Sequence, residues 1–418
     1  MKQKSLSIRA LALTVVAGVL LATTGCAEVE ERAEAPGVDW EQKILYVGAL
    51  NDESGPAAPM GRPFALGLRT LVHQINAGES DLLPEGWRVR LVERDHGYNP
   101  DRAVAAFHET HEQVLFYLQI FGTPNVLAVR PLLEEHNIVA FPASGSSLMA
   151  EHEYTPPAGA SYRVEAMRAM DFIVDEFGAT EDLRVAVVYQ QDDYGMDGYE
   201  GWLAAAQHYG IEIVTEQAYQ PGQQDFTEVV AGLIEADADA VFLATLPTAT
   251  ATILGTALQE DYLPTWIGNA PAWSDRFFDR RALPAPLLEH TYFVASGPFW
   301  GEEIPFVEDF IEGFEAYTRG RVPPDTYVLA AYVAAQVPFA AFRQALENDD
   351  VSREGYLRAL RGISDFDLDG ALPEPLDYTR FPYMPAVQSR VLQADLDNRR
   401  FTVVSDYQAP RGLTNSPD

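Results

Sequence analysis

The feature that most constrains this chain is a double run in which short apolar segments alternate with amphipathic ones. Residues 44–50 form an apolar run of strand length, the mark of a buried strand. A loop with Gly55-Pro56 and Gly61 follows, and Pro63 suits a helix start. Phe64, Leu68, Leu71, Val72 and Ile75 then recur at spacings that put them on one helical face. The same reading gives strands at 89–92, 115–121 and 138–141, with helices at 101–111 and from 124 to 135. After a polar, proline-rich loop at 151–161 the pattern restarts. Helices are predicted at 168–177, 198–209, 226–236 and 249–261, and strands at 185–189, 211–215, 240–244 and 265–267. Strand and helix in alternation imply parallel sheets covered by helices, and two such runs imply two α/β lobes. The last third departs from this pattern. Helices at 306–317, 327–346 and 353–360 precede late strands at 387–393 and 401–404. In doubly wound sheets, ligands sit beyond the carboxyl ends of the strands, where helix N-termini point. The loops after Leu50, Phe121, Phe141, Tyr189, Ala244 and Ile267 are therefore the candidate binding loops.

The N-terminus carries a different signal. Lys2, Lys4 and Arg9 precede an uncharged apolar stretch at 10–22, and Thr23-Thr24-Gly25-Cys26 closes it in small residues. A stretch this short with these flanks reads as a secretory signal, not as a membrane-spanning helix. The ending resembles the bacterial lipobox, in which the cysteine is lipidated and becomes the new N-terminus. A plain signal peptide with an incidental Cys26 is the alternative. On the lipobox reading, residues 1–25 are a signal peptide and Cys26 the lipidation site. Residues 26–42, acidic and broken by Pro36-Gly37, then form a tether. Removing 1–25 from 418 leaves 393 residues, a length that suits two domains. The protein is expected in the periplasm or on the outer cell surface, held to a membrane by lipid.

Charge and composition exclude several classes of function. The formal net charge is −33, and the signal contributes three basic residues and no acid, so the exported chain stands near −36. Nucleic acid and anionic lipid are poor partners for such a surface. Lys43 is the only lysine after the signal. An acid-rich, lysine-poor surface suits high salt, where screening weakens self-repulsion; a coding bias toward arginine in an ordinary acidic exported protein fits equally well. Cys26 is the only cysteine, so an exported chain lipidated there has no thiol left for catalysis, metal ligation or disulfides. His108-Glu109-Thr110-His111 falls one residue short of the zinc-protease spacing, and a solvated helix surface is its plain reading. Ser144-Gly145-Ser146 is no nucleophile elbow and has no neighbouring histidine motif to supply a base. There is no Walker loop and no dinucleotide fingerprint. These readings point to a protein that is not an enzyme and uses no metal or cofactor.

Several segments, in order, carry a resemblance to a known family. "GALNDESGPAAPMGRPFALGLRTLVHQIN" resembles the first strand, loop and helix of the type I periplasmic solute-binding proteins, above all the leucine/isoleucine/valine-binding branch that serves ABC importers. "RDHGYNPDRAV" resembles the second strand-to-helix joint of that family, and "FGTPNVLAVRPLLEEHNIVAFPASGSS" its third and fourth units. "YRVEAMRAMDFIV", "VAVVYQQDDYGMDGYEGW" and "GQQDFTEVVAGLIEADADAVFLA" resemble the start of its second lobe. The resemblance spans roughly residues 42–405. It implies two doubly wound parallel-sheet lobes joined by three hinge crossovers, closing like a clam on a small solute. The crossovers are expected near 162–163, 296–299 and 362–365. That gives lobe 1 as 43–162 and 298–362, and lobe 2 as 163–297 and 363–410. The implied partners are a small-molecule solute and the ABC permease.

The resemblance also implies a site. Lobe 1 of such proteins grips the solute's carboxylate with hydroxyls and backbone N–H groups after its third and fourth strands. Here those loops hold Thr123, Pro124 and Asn125, then Ser144, Gly145 and Ser146, with Asp52 and Ser54 in the first loop. A helix N-terminus offers N–H donors and partial positive charge, and hydroxyls add charge-assisted hydrogen bonds. For any single Ser or Thr an ordinary helix cap is the competing reading. Lobe 2 would close with Gln190, Asp193 and Tyr194, then Thr245, then Asn269 and Trp273. Core packing beneath Gly195 is the other reading of Tyr194. One departure matters. Amino-acid binders of this family place a glutamate after the fourth strand of lobe 2 to meet the ammonium, whereas residues 268–273 here contain no acid. Either Asp192, Asp193 or Asp275 replaces it, or the solute is an aromatic or aliphatic carboxylate without an ammonium. A non-transport lipoprotein of the same fold, acting as a sensor or as a regulator of an envelope enzyme, is the alternative function.

Overall fold

The computed structural model describes residues 35–413, apart from 179, 280, 281, 324, 384 and 385. The expected signal peptide, Cys26 and the first part of the tether lie outside the described residues. The described end of the segment expected as a tether is folded. Val38–Asp39 (β1) pairs antiparallel with the start of Ile44–Asn51 (β2). Trp40 supplies the reason, setting its ring edge-on to Trp87 at 5.5 Å. The first lobe continues with Ala58–Ala77 (α1), Arg88–Asp95 (β3), Pro100–Thr110 (α2), Tyr117–Phe121 (β4), Thr123–Glu135 (α3) and Ala140–Ala143 (β5). Pro59, not Pro63, takes the first turn of α1, and Pro63 lies inside the helix. The sheet runs β3-β2-β4-β5, all parallel.

The second lobe begins with Tyr162–Phe177 (α4), whose N-cap Ser161 accepts the Val164 N–H. Next come Arg184–Gln190 (β6), Asp193–Tyr209 (α5), Glu212–Tyr219 (β7), Thr227–Glu235 (α6), Ala240–Ala244 (β8), Pro247–Gln259 (α7) and Thr265–Gly268 (β9). A one-turn helix, Ala285–Leu288 (α8), leads into Thr291–Ala295 (β10), a strand the sequence reading missed. Strands β9, β8, β6 and β7 follow β10 in parallel order, a sheet built for burial on both faces. Trp266 and Phe242 at its centre are wholly buried, each side chain contributing about 2–3 kcal/mol.

The chain then returns to the first lobe through Pro305–Thr318 (α9), Thr326–Ala334 (α10), Gln336–Glu347 (α11) and Arg353–Leu360 (α12). The single helix expected at 327–346 is two, broken at Ala335. Pro338 is the cause: it has no N–H to give the Ala334 carbonyl, so the α10 ladder stops there. Ser389–Asp395 (β11) and Arg400–Gln408 (β12) finally add antiparallel strands beyond β10. The third crossover falls later than expected. Ile363, Leu368, Leu372, Tyr378 and Tyr383 pack in the core of the first lobe. The two tyrosine hydroxyls donate to first-lobe carbonyls, Pro157 O and Glu153 O, both at 2.9 Å. A buried phenol holds its position through such a bond. Residues 363–383 and Ala386 therefore pack with lobe 1, and the chain re-enters lobe 2 after Ala386. No helix among the described residues is long and apolar enough to cross a membrane.

Candidate binding site

Between the lobes lies a cavity of about 240 Å³. Its polar end is built from the strand-to-helix joints of lobe 1 and the first turn of α4. Thr123, the first residue of α3, shares a 2.7 Å hydrogen bond with Ser144, just past β5. Tyr98 reaches the same end from the loop after β3. Gly122 makes room for it: its φ is +87°, and a Cβ there would lie 2.7 Å from the Tyr98 ring. Gly145 is needed for the same kind of approach, since its Cβ would meet the Tyr162 ring at 2.9 Å. Tyr162 in turn sets its ring edge-on to Tyr194 at 5.0 Å.

Tyr162 and Glu165 stand three residues apart on α4 and so share a face. Glu165 lines the cavity, and its Oε2 accepts the Ala270 N–H at 3.1 Å. That contact reaches the loop in which the family's ammonium-binding glutamate was sought. Burial pushes the Glu165 carboxyl up to about 8; the Ala270 N–H opposes the shift and nearby Asp197 adds to it. The acid is therefore mostly protonated at neutral pH. Among the described residues it is the only Asp, Glu, Lys, Arg or His lining the cavity. Burial also raises the phenols of Tyr98, Tyr162, Tyr194 and Tyr327, so each stays neutral. The rest of the wall is apolar, with Met60, Phe64, Trp273, Phe299 and Phe401 its larger members.

Of the residues expected to touch the solute, Thr123, Ser144, Gly145, Tyr194 and Trp273 line this cavity, and the others do not. Asp52 instead folds its own loop, accepting the N–H groups of Gly55 at 2.5 Å and Ala57 at 2.9 Å. Ser54 lines a separate surface depression beside α1. Pro124 and Asn125 sit within the first turn of α3, where Asn125 turns back to donate to Phe121 O at 2.9 Å. Ser146 caps the short turn 147–149. Gln190 donates to Asp192 at 2.6 Å, and Asp193 is merely the first residue of α5. Thr245 pairs with Thr250 at 2.6 Å, and Asn269 accepts the Tyr194 hydroxyl at 3.0 Å. Of the three acids weighed as ammonium partners, none lines the cavity. Asp192 caps α5, Asp193 opens it, and Asp275 accepts Trp273 Nε1 at 2.6 Å. Tyr98, Tyr162, Glu165, Ser296 and Tyr327 line the cavity without having been anticipated. The family-like segments "RDHGYNPDRAV" and "YRVEAMRAMDFIV" contain Tyr98, Tyr162 and Glu165, and the crossover expected at 296–299 begins at Ser296.

The lobes touch directly around this space. The Tyr98 hydroxyl donates to Asp192 at 3.1 Å, and Ser147 donates to Asp197 through its N–H at 3.1 Å and through its hydroxyl. Tyr327 donates to the carbonyls of Ala270 at 2.8 Å and Trp273 at 2.9 Å, and the Thr326 N–H donates to Asp275 at 2.7 Å. The cleft is closed.

A lobed α/β fold with a closed apolar cleft defines a solute receptor, and comparison with known proteins agrees. A family described as periplasmic binding protein matches residues 45–382, and the chain belongs to it. Leu/Ile/Val-binding protein homolog 7 of Brucella abortus is 23% identical over 326 residues, covering 72% of this chain and 77% of the relative. A fatty acid ABC transporter substrate-binding protein from Thermomonospora curvata superposes with a TM-score of 0.84 at 24% identity, covering 92% of this chain and 96% of that one. A branched chain amino acid ABC transporter protein from Thermus thermophilus, solved with bound valine, superposes with a TM-score of 0.75 at 19% identity, covering 89% and 98%. At such identities the solved structures establish the two-lobed fold with parallel sheets. The family's members are solute-binding proteins, not enzymes.

Proposed function

We propose that this chain is the extracytoplasmic solute receptor of an ABC importer and that its solute is a carboxylate with an apolar body and no ammonium group. The observation that carries this reading is the cavity wall. One end offers the hydroxyls of Thr123, Ser144 and Tyr162, the remainder is apolar, and the only acid among the described residues lining it is the protonated Glu165. A buried ammonium without a charged partner is costly, whereas a carboxylate facing hydroxyls is well met. The likeness to a fatty-acid receptor supports the same reading. A permease partner follows from the transport role. The N-terminal pattern supports a lipid anchor at Cys26 after removal of 1–25; Cys26→Ala should release the protein from membranes or leave it unprocessed, and a variant that matures and still fractionates with membranes refutes the anchor.

The solute test is a thermal-shift and calorimetric comparison of leucine with 4-methylpentanoate, its deaminated analogue. The analogue should bind at least as well as leucine and raise the melting temperature. Tight leucine binding with none of the analogue overturns the proposal and makes Glu165, ionised by the ammonium, the residue to examine.

A further inference from the structure

The cavity is longer than a gripping site for a small acid requires. Three separate packing clusters contribute to its wall. Met60, Phe121, Tyr194, Leu246 and Tyr327 form a small cluster that bridges the cleft. Trp273, Phe293, Phe299, Leu392 and Phe401 belong to the core of the second lobe. Val333 and Leu372 belong to that of the first. The void thus passes the cleft residues and continues between the two lobe cores, beside the crossover that includes Gly297 and Pro298.

Helix α10 gauges its length. Thr326, Tyr327, Ala330, Val333 and Ala334 all line the cavity, a single stripe from the first residue of the helix to its last. Eight steps at 1.5 Å give a wall about 12 Å long. An extended carbon chain advances about 1.3 Å per bond, which places on the order of nine or ten carbons along it. The far part of the stripe is alanine and valine, and Ala334 stands where the helix ends.

We propose that the far end of this cavity is a tail chamber that selects medium-chain aliphatic acids, and that Ala334 determines the chain length it accepts. This rests on the carboxylate reading above. The carboxylate lies at the hydroxyl end with Thr123 and Ser144, and the tail runs along α10 toward Val333, Ala334 and Leu372.

The test is calorimetry on the delipidated parent with hexanoate, octanoate, decanoate and dodecanoate, then on Ala334→Phe. Affinity of the parent should rise about fourfold per added methylene and level off near ten carbons. Ala334→Phe should keep hexanoate within about twofold and lose most of the gain for decanoate. If the parent binds short and long acids equally, or the variant binds all four like the parent, the chamber is overturned while the carboxylate reading stands. If the parent binds none of them at millimolar concentration, that reading fails and the chamber with it. Should Ala334→Phe not fold, the chain-length series on the parent decides alone, and Ala330→Leu, one turn nearer the cleft, should shorten the preferred chain.

Discussion

Glu165 shows what one buried carboxyl does to both stability and selectivity. Its carboxyl stands near 8 in the folded protein against an ordinary 4.5. Between those values the folded chain holds a proton that the unfolded chain has released. Stability from this group is therefore full below about pH 4.5 and is lost as pH rises through about 8. Glu165→Gln is isosteric and keeps the neutral form. Its melting temperature should match the parent near pH 5 and exceed it near pH 8. Parallel melting curves for parent and variant across that range would show that the carboxyl is not displaced. At this scale the sequence was half legible. Thr123, Ser144, Gly145, Tyr194 and Trp273 stand in strand-to-helix joints or beside a strand end, where topology alone directs attention. Tyr162, Glu165 and Tyr327 stand on helices, where an aromatic or a glutamate looks like any other facial residue until the partner lobe is in place. Asp52 and Ser146 misled for the reason that polar residues in such joints often cap or close turns instead of facing a ligand.

Among the elements, the hinge is fastened by one ion pair. Arg390 on β11 is almost fully buried and holds Glu302 through two 2.6 Å hydrogen bonds, with a third bond to Gly297 O at 3.1 Å. Its guanidinium also lies over the rings of Phe299 at 4.9 Å and Tyr407 at 4.6 Å. The pair ties the third crossover to the second. Removing one partner leaves a buried charge unpaired, so Glu302→Ala should cost about 3–5 kcal/mol in urea denaturation. The double variant Glu302→Leu with Arg390→Met should recover much of that loss, since an apolar replacement leaves no charge behind. A single variant as stable as the parent would mean that water already screens the pair. Element order followed the hydrophobic period wherever strand and helix alternate, which is why β2 to β9 were readable, but α4 and α5 begin six and five residues before the predicted starts at 168 and 198. Strand β10 was not, because its five residues follow a long stretch of short turns around Trp273 and Phe278 with no helix of ordinary length between. The third crossover was misplaced for a related reason. The described residues between 363 and 386 contain no helix or strand, so only their packing on the core of lobe 1 shows where they belong.

Across the whole molecule, closure joins carboxylates of lobe 2 to hydroxyls and N–H groups of lobe 1. Asp192 meets Tyr98, Asp197 meets Ser147, and Asp275 meets Thr326. Burial, more than any other cause, raises the carboxyl of each above its ordinary range. Opening the cleft returns water to these groups and lets them ionise more easily. The closed state thus binds protons more tightly than the open state, and by linkage a solute that favours closure draws protons in with it. Affinity should fall as pH rises through the range in which these carboxyls lose their protons. Calorimetry near pH 6 in two buffers of different ionisation heat should reveal proton uptake on binding. Small-angle scattering on the same samples should show a smaller radius of gyration with solute. Release of protons would reverse the sign of the coupling. An unchanged scattering profile at saturating solute would leave the contacts between Tyr98 and Asp192 and between Ser147 and Asp197 as permanent features of the fold, with the solute entering a cleft that never opens.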